Sequence, residues 1–422
     1  MKLFSWRTMA LAVIALATAC HNGGNKANTA QVRMLNAVGD AEPLNLLIDG
    51  GVKASAVALG TTSSYAEIDA GTRTTDVVSS VNGSTLYDKQ VGFSDGGHYT
   101  LAAFGKRASI TVLQLNDDTV DAASGKFRVR FADFAPDSGN LDFYVVTGGI
   151  SAIPPTLTNV AGGAVTDYVE IAAGTYSFVL ATAGTKEVLF QSAAQAIAAN
   201  AKLTFTALPA LGAKLTNATL ISSAGGTFMA NPNARVKAVN AITDAAAITF
   251  KSDAATLLVG VPFGGSSSYV TTPNGAHTLK AELSNVPGTA IATLARTLDA
   301  ARDYTLAAVG TTASPTLVTF ADDNSLPAIG LAKIRFGNLL ADGSSADALI
   351  NFASRATGLA SRSVSDYYQV ASGTNYTLSF TTPGGVSVLA SIDSGLLDLS
   401  AIYTAYIMGT AANPTVKLVR DR

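Results

Sequence analysis

Phe127-Arg128-Val129-Arg130-Phe131 alternates apolar and basic side chains over five residues. Successive side chains of an extended strand point to opposite faces, so this stretch reads as a strand with one face on a core and the other in water. Nearby segments repeat the period. Tyr176, Phe178 and Leu180 alternate with Thr175, Ser177 and Val179, and Leu203, Phe205 and Ala207 alternate with Thr204 and Thr206. Runs of this kind describe antiparallel sheets packed on one side.

Working outward, Val129-Arg130 opens a block that recurs: Val32-Arg33…Asp40, Val129-Arg130…Asp137, Val236-Lys237…Asp244 and Ile334-Arg335…Asp342. Asn36, Asn240 and Asn338 share one column, where the second copy has Asp133. A tyrosine followed six residues later by glycine recurs as Tyr65/Gly71, Tyr168/Gly174, Tyr269/Gly275 and Tyr367/Gly373. A third block reads Tyr99-Thr100-Leu101, Leu203-Thr204-Phe205, Tyr304-Thr305-Leu306 and Tyr403-Thr404-Ala405. Glycine closes three of these at Gly105, Gly310 and Gly409, and Pro209 stands there in the second copy. Copy starts lie 97, 107 and 98 residues apart, the size of a small sandwich domain.

Composition agrees. The 422 residues are 48% hydrophobic, enough for several cores, and only 14% charged, with 38 glycines for turns. The expected organisation is all-β: a signal peptide at 1–19, a polar tether at 20–29, and four tandem antiparallel β-sandwich modules at 30–119, 125–227, 233–325 and 331–422. Asn116-Asp117-Asp118, Ser222-Ser223-Ala224-Gly225-Gly226 and Asp322-Asp323-Asn324-Ser325 read as linkers. Strung end to end, four such domains would reach on the order of 100–160 Å. Gln191–Asn200 is alanine-rich and has good helix propensity, but register with the other copies favours strand and turn there.

Together the motifs V-R-x-x-N-A…D, Y-x-x-[IV]-x-x-G-T and Y-T-L-A-A-x-G resemble domain of unknown function 4397, a module of bacterial exported proteins, over nearly the whole chain after the leader. The resemblance implies a small immunoglobulin-like or transthyretin-like sandwich and a cell-envelope address. It carries no catalytic residues. The second copy departs most, lacking the third-block tyrosine.

Lys2 and Arg7, the uncharged run Met9–Leu16 and the small residues Ala17-Thr18-Ala19 before Cys20 have the order of a secretory signal peptide. The stretch resembles the bacterial lipoprotein signal, with Ala17 where that family prefers leucine. Cys20 is the only cysteine and cannot make an internal disulfide, so it is expected to be lipidated and to hold the protein to a membrane through its acyl groups. Cleavage after the A-x-A motif without lipidation is the alternative. His21 follows the cysteine in place of the aspartate that retains some lipoproteins at the inner membrane, so an outer-membrane address is expected.

Catalytic chemistry is sparse in the pattern. Without Lys2 and Arg7, 26 basic residues face 30 acidic ones, which argues against nucleic-acid binding. His21, His98 and His277 are scattered and give no zinc spacing. No cofactor fingerprint and no G-x-S-x-G elbow is present. Asp40, Asp137, Asp244 and Asp342 are expected to cap turns, with calcium held by linker aspartates as the alternative. The column Tyr65, Tyr168, Tyr269 and Tyr367 is expected to join the core and tie down a turn with its hydroxyls, with sugar stacking as the alternative. The expected function is a non-enzymatic envelope scaffold, adhesion or partner-binding protein, with an envelope protein or a glycan as partner. A glycan- or small-ligand-binding module using sandwich-end loops is the second reading, and an enzyme with an inter-domain site the third.

Overall fold

A computed structural model describes residues 28–210 and 214–422. Signal peptide, Cys20 and most of the tether therefore lie outside the described residues. Among those described, no helix is long and apolar enough to cross a membrane.

The first module has eight strands: β1 (Thr29–Val38), β2 (Leu44–Ile48), β3 (Gly51–Val57), β4 (Ala66–Asp69), β5 (Gly71–Ser79), β6 (Thr85–Phe93), β7 (His98–Lys106) and β8 (Ser109–Asn116). They form two sheets, β4-β1-β7-β8 and β3-β2-β5-β6. Neighbours run antiparallel except β1 and β7, which are parallel with Val32 opposite Tyr99. The later modules keep this order, and their parallel central pairs are Lys126–Asp133 with Lys202–Leu208, Asn233–Ile242 with Asp303–Thr311, and Leu331–Leu340 with Ile402–Thr410. An immunoglobulin domain pairs its strands as ABED and CFG. Here the first strand lies between the fourth and the seventh, which leaves the transthyretin-like alternative. The alanine-rich segment contributes a short strand, Gln195–Ile197.

Each module buries its own core between its two sheets. Val32, Met34, Leu46, Val77 and Leu101 are central in the first. In the second, Phe131, Phe143, Phe178 and Phe205 stack with ring centroids 5.0–6.4 Å apart. The glycine after each Tyr block does not close a hairpin within one sheet. It sits instead at a corner between sheets, since β4 belongs to one sheet and β5, beginning at Gly71, to the other. Gly71 has φ +106°, a region that costs glycine nothing. Gly310 is more tightly constrained: at φ +115°, a Cβ would lie 2.4 Å from the Ser314 carbonyl oxygen.

The expectation that one face of every sheet meets water fails for the β1-type sheets. Leu35, Ala37 and Ala102 on the outer face of the first module pack against Ala132, Phe134, Leu208 and Ile221 of the second. Val239, Ala307 and Val309 pack likewise against Leu339, Tyr406 and Met408. Modules thus dock in pairs, sheet against sheet, first with second and third with fourth. The pairs also touch each other: Arg422 of the fourth module donates to the Asp137 carbonyl of the second, and Asn231, in the connector between the second and third modules, donates Nδ2 to the Leu189 and Thr216 carbonyls of the second at 2.7 Å each. Side-by-side docking replaces the end-to-end row expected from the repeat. Ser222–Gly226 is likewise no linker. It turns strand Asn217–Ser222 back into strand Gly225–Met229, whose Gly226 amide donates to Thr62 Oγ1 of the first module at 2.7 Å.

Candidate functional site

The basic residue of the first block lies on the outer face of its strand, inside the seam between modules. Arg33 is 3% exposed, Arg130 7%, Lys237 1% and Arg335 1%. A buried cation needs a counter-charge and hydrogen-bond acceptors, and for Arg130, Lys237 and Arg335 the carboxylate comes from the partner module.

Arg335 of the fourth module defines the geometry. Its Nε donates to Thr404 Oγ1 of its own seventh strand (3.0 Å), Nη1 to the Ala321 carbonyl of the third module (3.2 Å), and Nη2 to Asp322 of the third module. In exchange, Lys237 of the third module donates to Asp421 of the fourth. Each aspartate also accepts from the threonine of its own module, Thr305 to Asp322 at 2.8 Å and Thr404 to Asp421 at 2.6 Å. Tyr269 donates to Asp322 at 2.6 Å. Burial alone would raise the Asp322 carboxyl, but Arg335 and Lys237 outweigh it and hold it below its ordinary value. Burial, reinforced by Asp322, pushes the Tyr269 phenol up, so it stays a donor. Arg235, bidentate on Asp303 at 2.9 and 2.5 Å, and Asn324, bonded to Asp303 at 2.6 Å and to the Tyr269 hydroxyl at 3.1 Å, fill the space alongside.

In the first pair, Arg130 repeats the pattern: Nε to Thr204 Oγ1 (2.8 Å), Nη1 to the Asn116 carbonyl (2.8 Å) and Nη2 to Asp117 (3.0 Å). Asp117 also accepts from Tyr65 (2.6 Å) and Thr100 (2.5 Å). Arg33 makes the first two bonds, to Thr100 (2.8 Å) and the Ser222 carbonyl (2.8 Å). Its third prong finds no carboxylate on the second module, because strand pairing puts Ser223 where the other modules have Asp117, Asp322 and Asp421. Nη2 rests instead 3.4 Å from Asp117 of its own module. Beside this place lies a cavity of about 230 Å³, lined by Arg33, Tyr65 and His98 of the first module and Tyr168, Thr204 and Ser223 of the second.

Several sequence expectations change accordingly. The Tyr65 column is a lid on the buried bases: Arg33 lies 4.4 Å over the Tyr65 ring, Arg130 4.8 Å over Tyr168 and Arg335 4.8 Å over Tyr367. The turn-tying hydroxyl belongs to the third block, where Tyr99, Tyr304 and Tyr403 accept the amides of Ser94, Asp299 and Asp398 at 3.1, 3.1 and 3.2 Å. Linker aspartates Asp117 and Asp322 meet guanidinium groups, and among the described residues no group of three or more His, Cys, Asp or Glu could hold a metal ion. Asp40, Asp244 and Asp342 accept the amides of Arg107, Thr312 and Ala411 at 2.8, 2.7 and 2.7 Å, capping the last hairpin of their modules. Asp137 instead pairs with Lys106 at 2.5 Å. The functional residue missed by the sequence reading is the third-block threonine, although its recurrence in all four copies was visible.

His277 has a serine and an aspartate beside it, but not as a catalytic triad. Ser252 Oγ and Asp253 both approach Nδ1, at 2.9 and 2.8 Å, and Nε2 faces the Pro273 carbonyl at 2.9 Å. A triad needs the serine and the carboxylate on opposite ring nitrogens. Asp253 also accepts the Thr278 amide (2.8 Å), as Asp49 accepts that of Thr74 (2.9 Å), so the group repeats a structural turn. His98 has its Nδ1 3.0 Å from Asp118 at the rim of the cavity.

No curated protein is significantly similar to the chain. Among solved structures it is similar to a candidate cell adhesion protein from Bacteroides uniformis, at 9% identity over 48% of this chain and 100% of that one, with a TM-score of 0.22. A structure described as alpha-glucan binding by a streptococcal virulence factor matches at 13% identity over 42% and 92%, with a TM-score of 0.14. The Bacillus anthracis TIE protein matches at 11% identity over 87% and 65%, with a TM-score of 0.16. Residues 30–144 and 234–345 match the family described as Domain of unknown function (DUF4397). Those spans hold the first and third modules, and the second and fourth repeat their strand order. With more than half of its residues matched, the chain belongs to the DUF4397 family.

Proposed function

We propose that the protein is a non-enzymatic lipoprotein of the cell envelope, anchored through acyl groups on Cys20, in which two docked module pairs form a scaffold that binds an envelope partner. The observation that carries this reading is the pairwise docking. Apolar seams and buried charge pairs fix each module against its neighbour, so the sandwich-end loops are held in fixed mutual positions. A binding surface benefits from such preorganisation, because less freedom is lost when a partner docks. The leader and Cys20 supply the address, and the outer membrane is the proposed destination.

Metabolic labelling with an alkyne fatty acid, followed by membrane fractionation, tests the anchor. The expected result is a labelled, membrane-bound protein whose label and sedimentation are both lost on Cys20→Ala. An unlabelled wild-type protein in the soluble fraction would overturn the assignment. Crosslinking in cells, compared between wild type and Cys20→Ala, then identifies the partner. The cavity at the first junction favours a second reading, in which the modules also bind a small ligand.

A further inference from the structure

We propose that the cavity between the first and second modules is a binding site for a small organic carboxylate, whose carboxylate group takes the place that Asp421 holds at the other junction. This deepens the small-ligand reading and does not depend on the Cys20 anchor.

Internal symmetry carries the argument. At the junction of the third and fourth modules, two buried cations, Lys237 and Arg335, face two buried carboxylates, Asp322 and Asp421. At the junction of the first and second, Arg33 and Arg130 share the single carboxylate of Asp117. One negative charge is missing, and it is missing at a defined point: the place that strand register assigns to Ser223.

Two groups at that point have bonding capacity unused, and a tyrosine walls it. Arg33 Nη2 corresponds to the prongs by which Arg130 and Arg335 hold an aspartate of the partner module, yet its nearest carboxylate lies at a long 3.4 Å. Thr204 corresponds to Thr100, Thr305 and Thr404, all of which donate to an aspartate at 2.5–2.8 Å. Its hydroxyl accepts from Arg130 but donates to no acceptor among the described residues. Tyr168 lines the same cleft with its ring against Arg130; its counterparts Tyr65 and Tyr269 donate to an aspartate at 2.6 Å, while Tyr367, the fourth module's copy, is buried without a hydrogen-bond partner. A guanidinium prong and a threonine hydroxyl in a partly buried cleft are the kind of donor set that holds Asp421 at the other junction and that a carboxylate satisfies, and charge-assisted bonds of this type are the strong ones.

The rim charges do not supply the missing anion. Asp118 is engaged with His98 at 3.0 Å, and Lys202 pairs with Asp121 at 3.0 Å. The space also suits the proposal. About 230 Å³ exceeds what a carboxylate group alone fills, and Ile221 and the rings of Tyr65 and Tyr168 provide walls for a short carbon skeleton or a sugar ring. A uronate or a short aliphatic acid fits this description.

Thermal melts of the purified chain at constant ionic strength test the site, with acetate and glucuronate as probes, acetamide and glucose as uncharged controls, and phosphate as a tetrahedral anion. The expected result is a saturable rise in Tm with both carboxylates, on the order of 2 °C at tenfold excess over Kd, and none with the controls. Ser223→Asp should raise the Tm without ligand and abolish the response, because the chain then supplies its own carboxylate. Thr204→Val should keep the fold and weaken the response about tenfold. Three outcomes would overturn the proposal: no response to either carboxylate, meaning a cavity that holds water only; a response to phosphate alone; or a Ser223→Asp protein that responds like wild type.

Discussion

The two junctions are built from the same columns and end in different states. Between the third and fourth modules, Lys237, Arg335, Asp322 and Asp421 cross-pair with every side chain at or below 1% exposed. Between the first and second, Asp117 is 12% exposed, stands alone against two arginines and borders a cavity. The difference traces to one turn. The fourth module runs straight through Asp421 to its end, and the third through Asp322 into the next module. The second module reverses at Ser222–Gly225 to lay an extra strand toward the first. A single replacement thus converts a sealed electrostatic seam into an open cleft while the apolar part of the seam stays intact.

Removing one aspartate from each junction should separate them most strongly. Asp322→Ala leaves Arg335 buried without its counter-charge and removes the acceptor of Tyr269 and Thr305, a loss of about 3–5 kcal/mol. Asp117→Ala strips a partly exposed and already outnumbered carboxylate, and should cost about 1–3 kcal/mol. Urea unfolding of the two variants compares them directly. Equal losses would mean that the junctions are energetically alike despite their geometry.

The second module departs from the repeat at another position, and this sharpens the contrast. Asn36, Asn240 and Asn338 each donate Nδ2 to a carbonyl across the module, of Val57, Val261 and Leu359, at 2.9, 3.0 and 2.8 Å. Asp133 keeps the accepting half of that role, taking the Ala135 amide at 2.8 Å, but its Oδ2 is buried without a partner. Burial pushes this carboxyl up to about 7. The folded state therefore holds a proton that the unfolded chain releases near pH 4, and stability falls as pH rises from about 4 to 7, by at most about 1.4 kcal/mol per pH unit. Asp133→Asn should remove that decline and leave the protein more stable than wild type at pH 8, as measured by urea unfolding across this range. Parallel pH profiles for the two proteins would refute the assignment.

The smallest expected effect uses the threonines. Thr404 accepts from Arg335 and donates to Asp421, whereas Thr204 only accepts from Arg130. Thr404→Val should cost about 1–2 kcal/mol and Thr204→Val roughly half of that, since the lost bond to a carboxylate is the stronger one. A double-mutant cycle between Thr404 and Asp421 isolates the term that the first pair lacks.

Much of this was legible in the residues. Alternation from Phe127 to Phe131 marked the strand, and the spacing of Val32, Val129, Val236 and Ile334 marked the repeat. The Asp40, Asp244 and Asp342 column was readable as a turn cap because an aspartate at a fixed distance from a strand has a local job. Arg130 was read as facing water, and Tyr65 and Tyr168 as core residues tying a turn. Both readings assumed that a module is covered only by itself.

By itself the sequence determined the period, the strands, the number of modules and which side chains share a face. Those are properties of a chain and its nearest neighbours in register, where a two-residue repeat acts directly. Only the tertiary structure decided what covers the outer face of each β1-type sheet, and with it the fate of every charge there. Whether a buried base meets a carboxylate depends on an aspartate delivered by a different module, 13 residues back for Arg130 and Arg335 and 184 residues on for Lys237. No strand-period pattern within one module encodes that partner. Pairing Arg130 with Asp117, and leaving Arg33 facing Ser223, required the two sheets to meet.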